Sequence, residues 1–447
     1  MDRPREFENS DRIDLFVADS HQDCVIRRTC CRWKNANFGN PFEAMNRSLA
    51  IDIKKGTWPR KGSLPTFPST FHSGVQTVDI HVPSALLMIG FLTTPIATTG
   101  VSLSEFWAWV RYLAAISADP DLRLTQSFAD LDAHQKTILS DDFGMGLPML
   151  WLNDKLQFDR IVDGRYFMQR FAASTSATQH RAAKRGPNKT PDFVARDLSG
   201  VWHVVECKGT QSGVGYSSNQ LGGKGPPPVG GVAQKLSIIF PPGHTGQRLV
   251  CGLSIGVDGR EKSKLTIIDP EPDEPLTVRS DQISNADDAA TRGMIAKAFR
   301  LAGFEATAEV TAAPLGFSVT AVRRKTKKAE KRREAIVAER DARARAELGR
   351  AETLRTKFDD GYLGRELNID LPRPIPLGSK PVSRVIVRQG VKQDAISELR
   401  EQPTVAEPTY DDSARWVKEV GPIEIQKDGQ FSSFTIGGFF RSELILE

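Results

Sequence analysis

Apolar and polar positions follow two periods along the chain, and the changes of period mark its elements. Asp14–Ala18, Cys24–Arg27 and Ser48–Ile53 are short apolar runs of strand length, the last ended by Lys54-Lys55-Gly56. From Ser104-Glu105 the apolar residues recur at helical spacing through Trp107, Val110, Leu113 and Ala114, which predicts an amphipathic helix. The longest apolar stretch, Ala85–Phe91 running on toward Ala97, is interrupted by Gly90 and Pro95. It is too short to span a bilayer and predicts core. Residues 138–174 predict one or two helices, with an N-cap in Leu139-Ser140-Asp141-Asp142-Phe143-Gly144 and an apolar face of Met149, Leu150, Leu152, Leu156 and Phe158. Two apolar runs, Phe193–Ala195 and Val201–Val205, then flank the turn signal Asp197-Leu198-Ser199-Gly200 and read as a β-hairpin.

Beyond the hairpin, Gly209–Gly231 is rich in Gly, Ser and Pro and predicts a loop facing the substrate. It is not a Walker loop, because Lys224 is followed by Gly and position 218 is Ser. Leu236–Phe240, Arg248–Ile255 and Leu265–Asp269 predict strands, and Asp287–Ala302, closed by Gly303, predicts a helix. A long charged helix is expected from Arg323 to Phe358, about 50 Å at the usual rise. Eight basic residues stand against one acidic residue in its first eleven positions. Val337, Ala344, Leu348, Ala351 and Phe358 give it only a thin apolar seam. Such a helix serves as a nucleic-acid contact, as a link to a second copy or partner subunit, or as a solvated spacer. A Pro-rich linker, Leu371–Pro376, precedes strands at Val382–Val387 and Phe431–Phe440, the latter bent at Gly437-Gly438.

Strands mixed with flanking helices define an α/β protein. The expected organisation is an N-terminal α+β region (1–135), a central α/β domain (136–315), the charged helix (316–362) and a small β-rich C-terminal unit (363–447). At 447 residues, 39% hydrophobic and 26% charged, the chain is of globular type, and its net charge of +5 permits a nucleic-acid partner without demanding one. Five cysteines, Cys24, Cys30, Cys31, Cys207 and Cys251, are sparse and odd in number. With no signal peptide in the first residues, this predicts reduced thiols and a cytoplasmic location. His21, Cys24, Cys30 and Cys31 match no paired-knuckle zinc spacing and are expected to be ordinary thiols and an ordinary imidazole. The run Arg27, Arg28, Arg32, Trp33, Lys34 is either a phosphate-and-base contact or a solvated strand edge.

The hairpin carries the chemistry. Residues two apart on a strand share a face, so Glu206 and Lys208 point one way while Val205 and Cys207 point the other. The pairing brings Asp192 to the end of the Glu206 strand, which gathers two carboxylates and an ammonium at one place. Close carboxylates raise each other's pKa unless a cation intervenes, and Mg²⁺ takes one or two carboxylates together with carbonyl and water oxygens. The carbonyl of Cys207 is placed to add a ligand. Lys184, Arg185 and Lys189, in the basic loop His180–Lys189, together with Lys224, are candidate phosphate contacts.

The pair Pro191-Asp192 and the triplet Glu206-Cys207-Lys208 resemble the PD-(D/E)XK nuclease superfamily, directly over about twenty residues and in setting over roughly 130–270. The resemblance implies a restriction-endonuclease-like mixed sheet flanked by helices. It implies Mg²⁺, with Mn²⁺ as a substitute, held by Asp192 and Glu206, and catalysis assisted by Lys208. It adds Asp142 as an acid from a preceding helix and Gln220, or Gln234 with Lys235, from the following one. The expected activity is hydrolysis of DNA phosphodiesters, in a bacterial defence or restriction setting. Two other readings are a nuclease-like scaffold that binds nucleic acid without cutting and a structural subunit of a larger assembly.

Overall fold

The structure, a computed structural model, describes residues 45–59, 62–96, 104–175, 190–222, 230–231, 238–269, 276–313, 327–359, 361–377, 381–401, 409 and 415–447. The chain divides into Met1–Phe38 and Gly39–Glu447, and every described residue lies in the second part. The N-terminal runs at Asp14–Ala18, Cys24–Arg27 and Arg27–Lys34, and the His21/Cys24/Cys30/Cys31 group, lie outside the described residues.

Strands β1 (Asn46–Ile53) and β2 (Gly74–His81) are followed by helices α1 (Val82–Thr93) and α2 (Ser104–Ala115). After the short β3 (Arg123–Leu124) and α3 (Gln126–Ala129), α4 (Ala133–Leu156) leads to β4 (Phe158–Asp163) and α5 (Gly164–Ser174). Next come β5 (Phe193–Asp197), β6 (Trp202–Thr210), α6 (Val214–Leu221), β7 (Ile238–Ile239), β8 (Thr245–Ser254), β9 (Gly256–Val257), β10 (Lys264–Ile268) and β11 (Leu276–Thr277). Helices α7 (Ile283–Leu301), α8 (Glu305–Thr311), α9 (Lys327–Gly349) and α10 (Ala351–Leu354) precede β12 (Thr356–Phe358), β13 (Tyr362–Ile375), β14 (Val382–Lys392), α11 (Gln393–Glu401), β15 (Ile423–Asp428), β16 (Phe431–Ile436) and β17 (Phe440–Leu446).

The chain is a mixed α/β protein built on two large sheets. The first has seven strands in the order β2-β1-β10-β8-β6-β5-β4, with β1/β10 and β6/β8 parallel and the other neighbours antiparallel. Alternation gives it two buried faces. One carries Leu49, Ile51, Ile53, Leu265, Ile267, Leu249, Cys251, Leu253, Val205 and Cys207 and packs into the main core. The other carries Val162, Val194, Trp202 and Val204 under α5 and α7, and Val250 with Ile268 under Leu221 of α6. The expected hairpin forms as β5 and β6, paired Phe193↔Val205 through Arg196↔Trp202. The Asp197 carboxylate accepts from the amides of Ser199 and Val201, and Gly200 takes φ 78°, a left-handed conformation that favours glycine.

Several expectations are corrected. The N-cap lies at Asp132, whose Oδ1 accepts from the amides of His134 and Gln135 (2.9 and 3.1 Å), so Asp141 and Asp142 fall inside α4 rather than at its start. The stretch read as one or two helices also holds a strand, β4. The charged helix ends at Gly349, and Phe358 belongs to β12. Part of the helix seam is buried within the chain, since Ala344, Leu348 and Ala351 are core and Glu347 accepts from the amide and hydroxyl of Thr307, both at 2.8 Å. Leu371–Ile375 is not a linker but the end of β13, where the pairing to β14 shifts register.

The second sheet, β12-β13-β14-β17-β16-β15, is antiparallel and shares the main core with the first. Helix α1 is apolar all round because it lies between them. Phe91 meets Phe434 at 4.8 Å, Ser84 Oγ meets Ser432 Oγ at 2.9 Å, and Asn153 of α4 donates to the Ile423 carbonyl at 3.0 Å. Strands β1 and β2, from the region expected to stand apart before residue 136, are part of the same sheet as the hairpin. Among the described residues no helix is long and apolar enough to cross a membrane.

Helix α4 is pressed onto β6 through two glycines. A Cβ on Gly144 would lie 2.6 Å from the Gly209 nitrogen, and one on Gly209 would lie 1.7 Å from the Ser140 carbonyl oxygen. Backbone cannot yield cheaply there, so Gly209→Ala should cost about 1–3 kcal/mol or more, the usual scale of overpacking. Urea denaturation of that variant against the parent measures the loss.

Candidate active site

Asp192 and Glu206 are held by each other's strands. The Asp192 amide donates to Glu206 Oε2 at 3.2 Å, and the Cys207 amide donates to Asp192 Oδ2 at 2.7 Å. The Lys208 ammonium contacts Glu206 Oε1. The Glu206 side chain is 0% exposed and that of Lys208 is 23% exposed, so the cluster opens to solvent on the lysine side. The alternation expected of β6 holds: Cys207 packs its thiol into the core beside Cys251, and burial pushes that thiol well above its usual range. Only the main chain of Cys207 is left to face the acidic pair.

Burial, and then the neighbouring Asp192 charge, push the Glu206 carboxyl up to about 8 against the pull of Lys208. Burial also raises Asp192, with Lys208 and the Cys207 amide opposing and Asp141 adding to the rise. Burial alone would lower Lys208, but Glu206 and Asp192 outweigh it and raise the ammonium above its ordinary value. The carboxyl pair therefore shares a proton near neutral pH, and the lysine stays charged.

Asp192 is fixed from behind. The amide of Gly164 donates to the Asp192 carbonyl at 2.8 Å, and a Cβ on Gly164 would lie 2.2 Å from the Pro191 carbonyl oxygen. The preceding residue, Asp163, is bound by Lys297 of α7 at 2.6 Å, and the same ammonium donates to the Leu92 carbonyl of α1 at 2.7 Å.

Helix α4 brings acid toward the cluster, but through Asp141. The Asp142 carboxylate accepts a hydrogen bond from the Tyr112 hydroxyl, and burial, only partly offset by that bond, pushes it up to about 6. Asp141 is exposed, raised by partial burial and lowered by Lys208, and its charge in turn raises Asp192. Asp142 is the acid expected from the resemblance, on a helix preceding the Pro191-Asp192 strand, with helix capping by Asp141 or Asp142 as the alternative. Had the cap been placed at Asp132, the 100° step per residue would have separated their directions.

On the opposite face, α6 lies over Gly252 and Val250. A Cβ on Gly252 would fall 2.8 Å from Leu221 Cδ2, and one on Gly231 would lie 3.5 Å from Glu206 Cγ. This places Gln220 on the helix covering the Glu206 face, where its Oε1 is buried with no hydrogen-bond partner, as is Ser217 Oγ. Lys184, Arg185, Lys189, Lys224, Gln234 and Lys235 lie outside the described residues.

Among the described residues no group of three or more His, Cys, Asp or Glu is disposed to hold a metal ion. Two adjoining carboxylates are of the donor type that a hydrated Mg²⁺ takes, an ion that keeps several waters. No protein-family profile, no curated protein and no solved structure matches the chain.

The shared proton makes stability depend on pH. The folded chain holds it up to about pH 8, whereas an unfolded Glu releases it near 4.5, so folding takes up a proton between those limits and stability falls as pH rises through them. Glu206→Gln removes that uptake. Its melting temperature should gain on the parent's as pH is raised from 5 to 8, which a pH series of thermal melts reads directly.

Removing Lys297 leaves Asp163 without its counter-ion beneath the Pro191-Asp192 corner. Lys297→Met should destabilise the chain by about 1–3 kcal/mol, less than breaking a fully buried pair costs, because the Asp163 side chain is 32% exposed and the Leu92 carbonyl loses its donor. Urea melts give the size of the loss.

Proposed function

We propose that this protein is a metal-dependent nuclease of the PD-(D/E)XK type that hydrolyses phosphodiester bonds in DNA. The observation that carries this reading is the cross-strand clasp in which the Asp192 amide donates to Glu206 and the Cys207 amide to Asp192 while Lys208 contacts Glu206. The mixed sheet with helices on both faces is compatible with the restriction-endonuclease-like fold of that superfamily.

Asp192 and Glu206 would hold Mg²⁺, with Mn²⁺ substituting and the Cys207 carbonyl available to it. When bound, the ion polarises the phosphodiester and makes its own water more acidic. The residues of the chain do the rest. Lys208, partly exposed where Glu206 is sealed, meets the incoming phosphate and donates to the oxygen on which negative charge grows. Asp192, fixed by the Cys207 amide and by the Gly164 corner, keeps its carboxylate aimed without rotamer search. Gln220 offers an amide oxygen with no other partner. Asp141 adds negative charge beside the pair and strengthens its hold on a cation. The setting of such an enzyme, in defence or restriction, belongs to the same proposal.

A second reading, a nuclease-like scaffold that binds DNA without cutting, is favoured by the lack of a third acidic ligand in the group among the described residues. Plasmid incubated with Mg²⁺ or Mn²⁺, with and without EDTA, separates the two. The enzyme nicks plasmid only with metal, and Asp192→Ala, Glu206→Ala and Lys208→Ala each lower the rate by about 100-fold or more with circular dichroism unchanged. A gel shift with no nicking selects the scaffold, and nicking retained in all three variants removes the site.

A further inference from the structure

Among the described Phe, Trp and Tyr side chains only two are exposed, Trp107 at 51% and Tyr216 at 53%. Tyr216 sits on a helix that covers the cluster's strand, and Trp107 on a helix tied to the one that packs on that strand's other face. Trp107 is on α2, which joins the cluster's α4 wall through the Tyr112–Asp142 hydrogen bond. That wall packs on the Cys207 face of β6 at the Gly144–Gly209 contact. Tyr216 is on α6, which covers the other face of the same strand through Leu221 over Gly252. The two rings therefore belong to opposite sides of the strand that carries Glu206 and Lys208. The helices that bear them bury apolar neighbours, Trp109 and Leu113 on α2 and Leu221 on α6, so leaving these two rings in water is not a requirement of packing.

Trp107 also has a cation placed against it. The Arg111 guanidinium lies 5.9 Å from its ring centroid and is fixed by a 2.5 Å hydrogen bond from Nη2 to Gln135 of α4. A ring with an adjacent guanidinium suits a nucleotide, the base stacking on the ring and the phosphate meeting the cation. Bases in an intact duplex present only their edges, because their faces are already stacked on each other. An exposed ring gains from a base only where that base is unpaired.

We infer that Trp107 and Tyr216 are stacking platforms for unpaired bases flanking the scissile phosphate, so that the DNA taken at Lys208 is single-stranded or locally melted. This rests on the nuclease reading above and narrows its substrate. The two rings grip the strand on either side of the cluster, and Arg111 takes a phosphate beside the Trp107 base.

Binding is measured by fluorescence anisotropy in EDTA, with a labelled DNA oligonucleotide either alone or annealed to its complement. Cleavage of the same two substrates is followed in parallel in Mg²⁺. The single strand should bind about tenfold or more tighter than the duplex. Trp107→Ala and Tyr216→Ala should each weaken single-strand binding about tenfold with little effect on the duplex, while Trp107→Phe and Tyr216→Phe restore most of it because a ring remains. Equal binding of both forms, unchanged in the alanine variants while Mg²⁺-dependent cleavage persists, overturns the stacking role and leaves the nuclease reading standing. No binding of either form together with no cleavage overturns both.

Discussion

The structure around the cluster depends on one constraint: two carboxylates at neighbouring strand ends can be buried together only if something compensates their charge. Here the larger part of the compensation comes from Lys208, the only full positive charge in contact with the pair among the described residues. The backbone adds to it, each strand giving a main-chain N–H to the acid of the other, at 3.2 and 2.7 Å. The clasp fixes the register of β5 on β6, because a one-residue slip would turn Glu206 and Lys208 into the apolar core and put Cys207 in place of the acid. What the backbone and lysine do not offset is left as the retained proton near neutral pH. Under the proposed function, a divalent cation would take the place of that proton.

Such a cluster needs a stiff frame, and close backbone contacts provide it. Gly144 and Gly209 let α4 rest on β6 with no side chain between them, and Gly164 does the same for α5 against Pro191. The Lys297 bridge from Asp163 to Leu92 then ties this corner to α1, the helix shared by the two sheets. The position of Asp192 is thus referred to both sheets and not to its hairpin alone. The second sheet contributes no group to the cluster, yet it supports the helix that steadies it.

The parts legible in the sequence were those where local chemistry and tertiary demand agreed. Turn residues Asp197 and Gly200 with strict alternation in β6 define the hairpin without help from the rest of the chain. The helix over α7 and its Gly303 stop were equally plain, since Gly303 takes φ 86°. Strand β4 was hidden because Asp159, Arg160 and Asp163 make it look like helix surface. Arg160 is buried there only because Thr291 and the nearby carboxylates of Asp159 and Asp287 receive it. Pro148 inside α4 and the prolines at 372 and 374 in β13 argued locally for breaks. The latter fall where β13 runs past its pairing with β12 and shifts register against β14, a stretch in which a missing N–H costs little. Asp141 could not be separated from Asp142 until the true start of α4 was known.

Access to the cluster is asymmetric, and this limits how it can work. Glu206 is sealed beneath α6 and Gly231, and Asp192 is held against the Gly164 corner. Lys208 and Asp192 are both partly exposed, and Lys208 lies close enough to the exposed Asp141 to lower its pKa. An anion approaching on the Lys208 side would meet the ammonium before the sealed Glu206 carboxyl. The order is favourable, because direct approach of an anion to a carboxylate is repelled. Under the proposed function Lys208 would bridge an anionic substrate and the acidic pair behind it, since those same acids raise its pKa and keep it charged. A neutral side chain at that position would remove the one ammonium in contact with Glu206 among the described residues, so on that reading admission of substrate and chemistry would fail together.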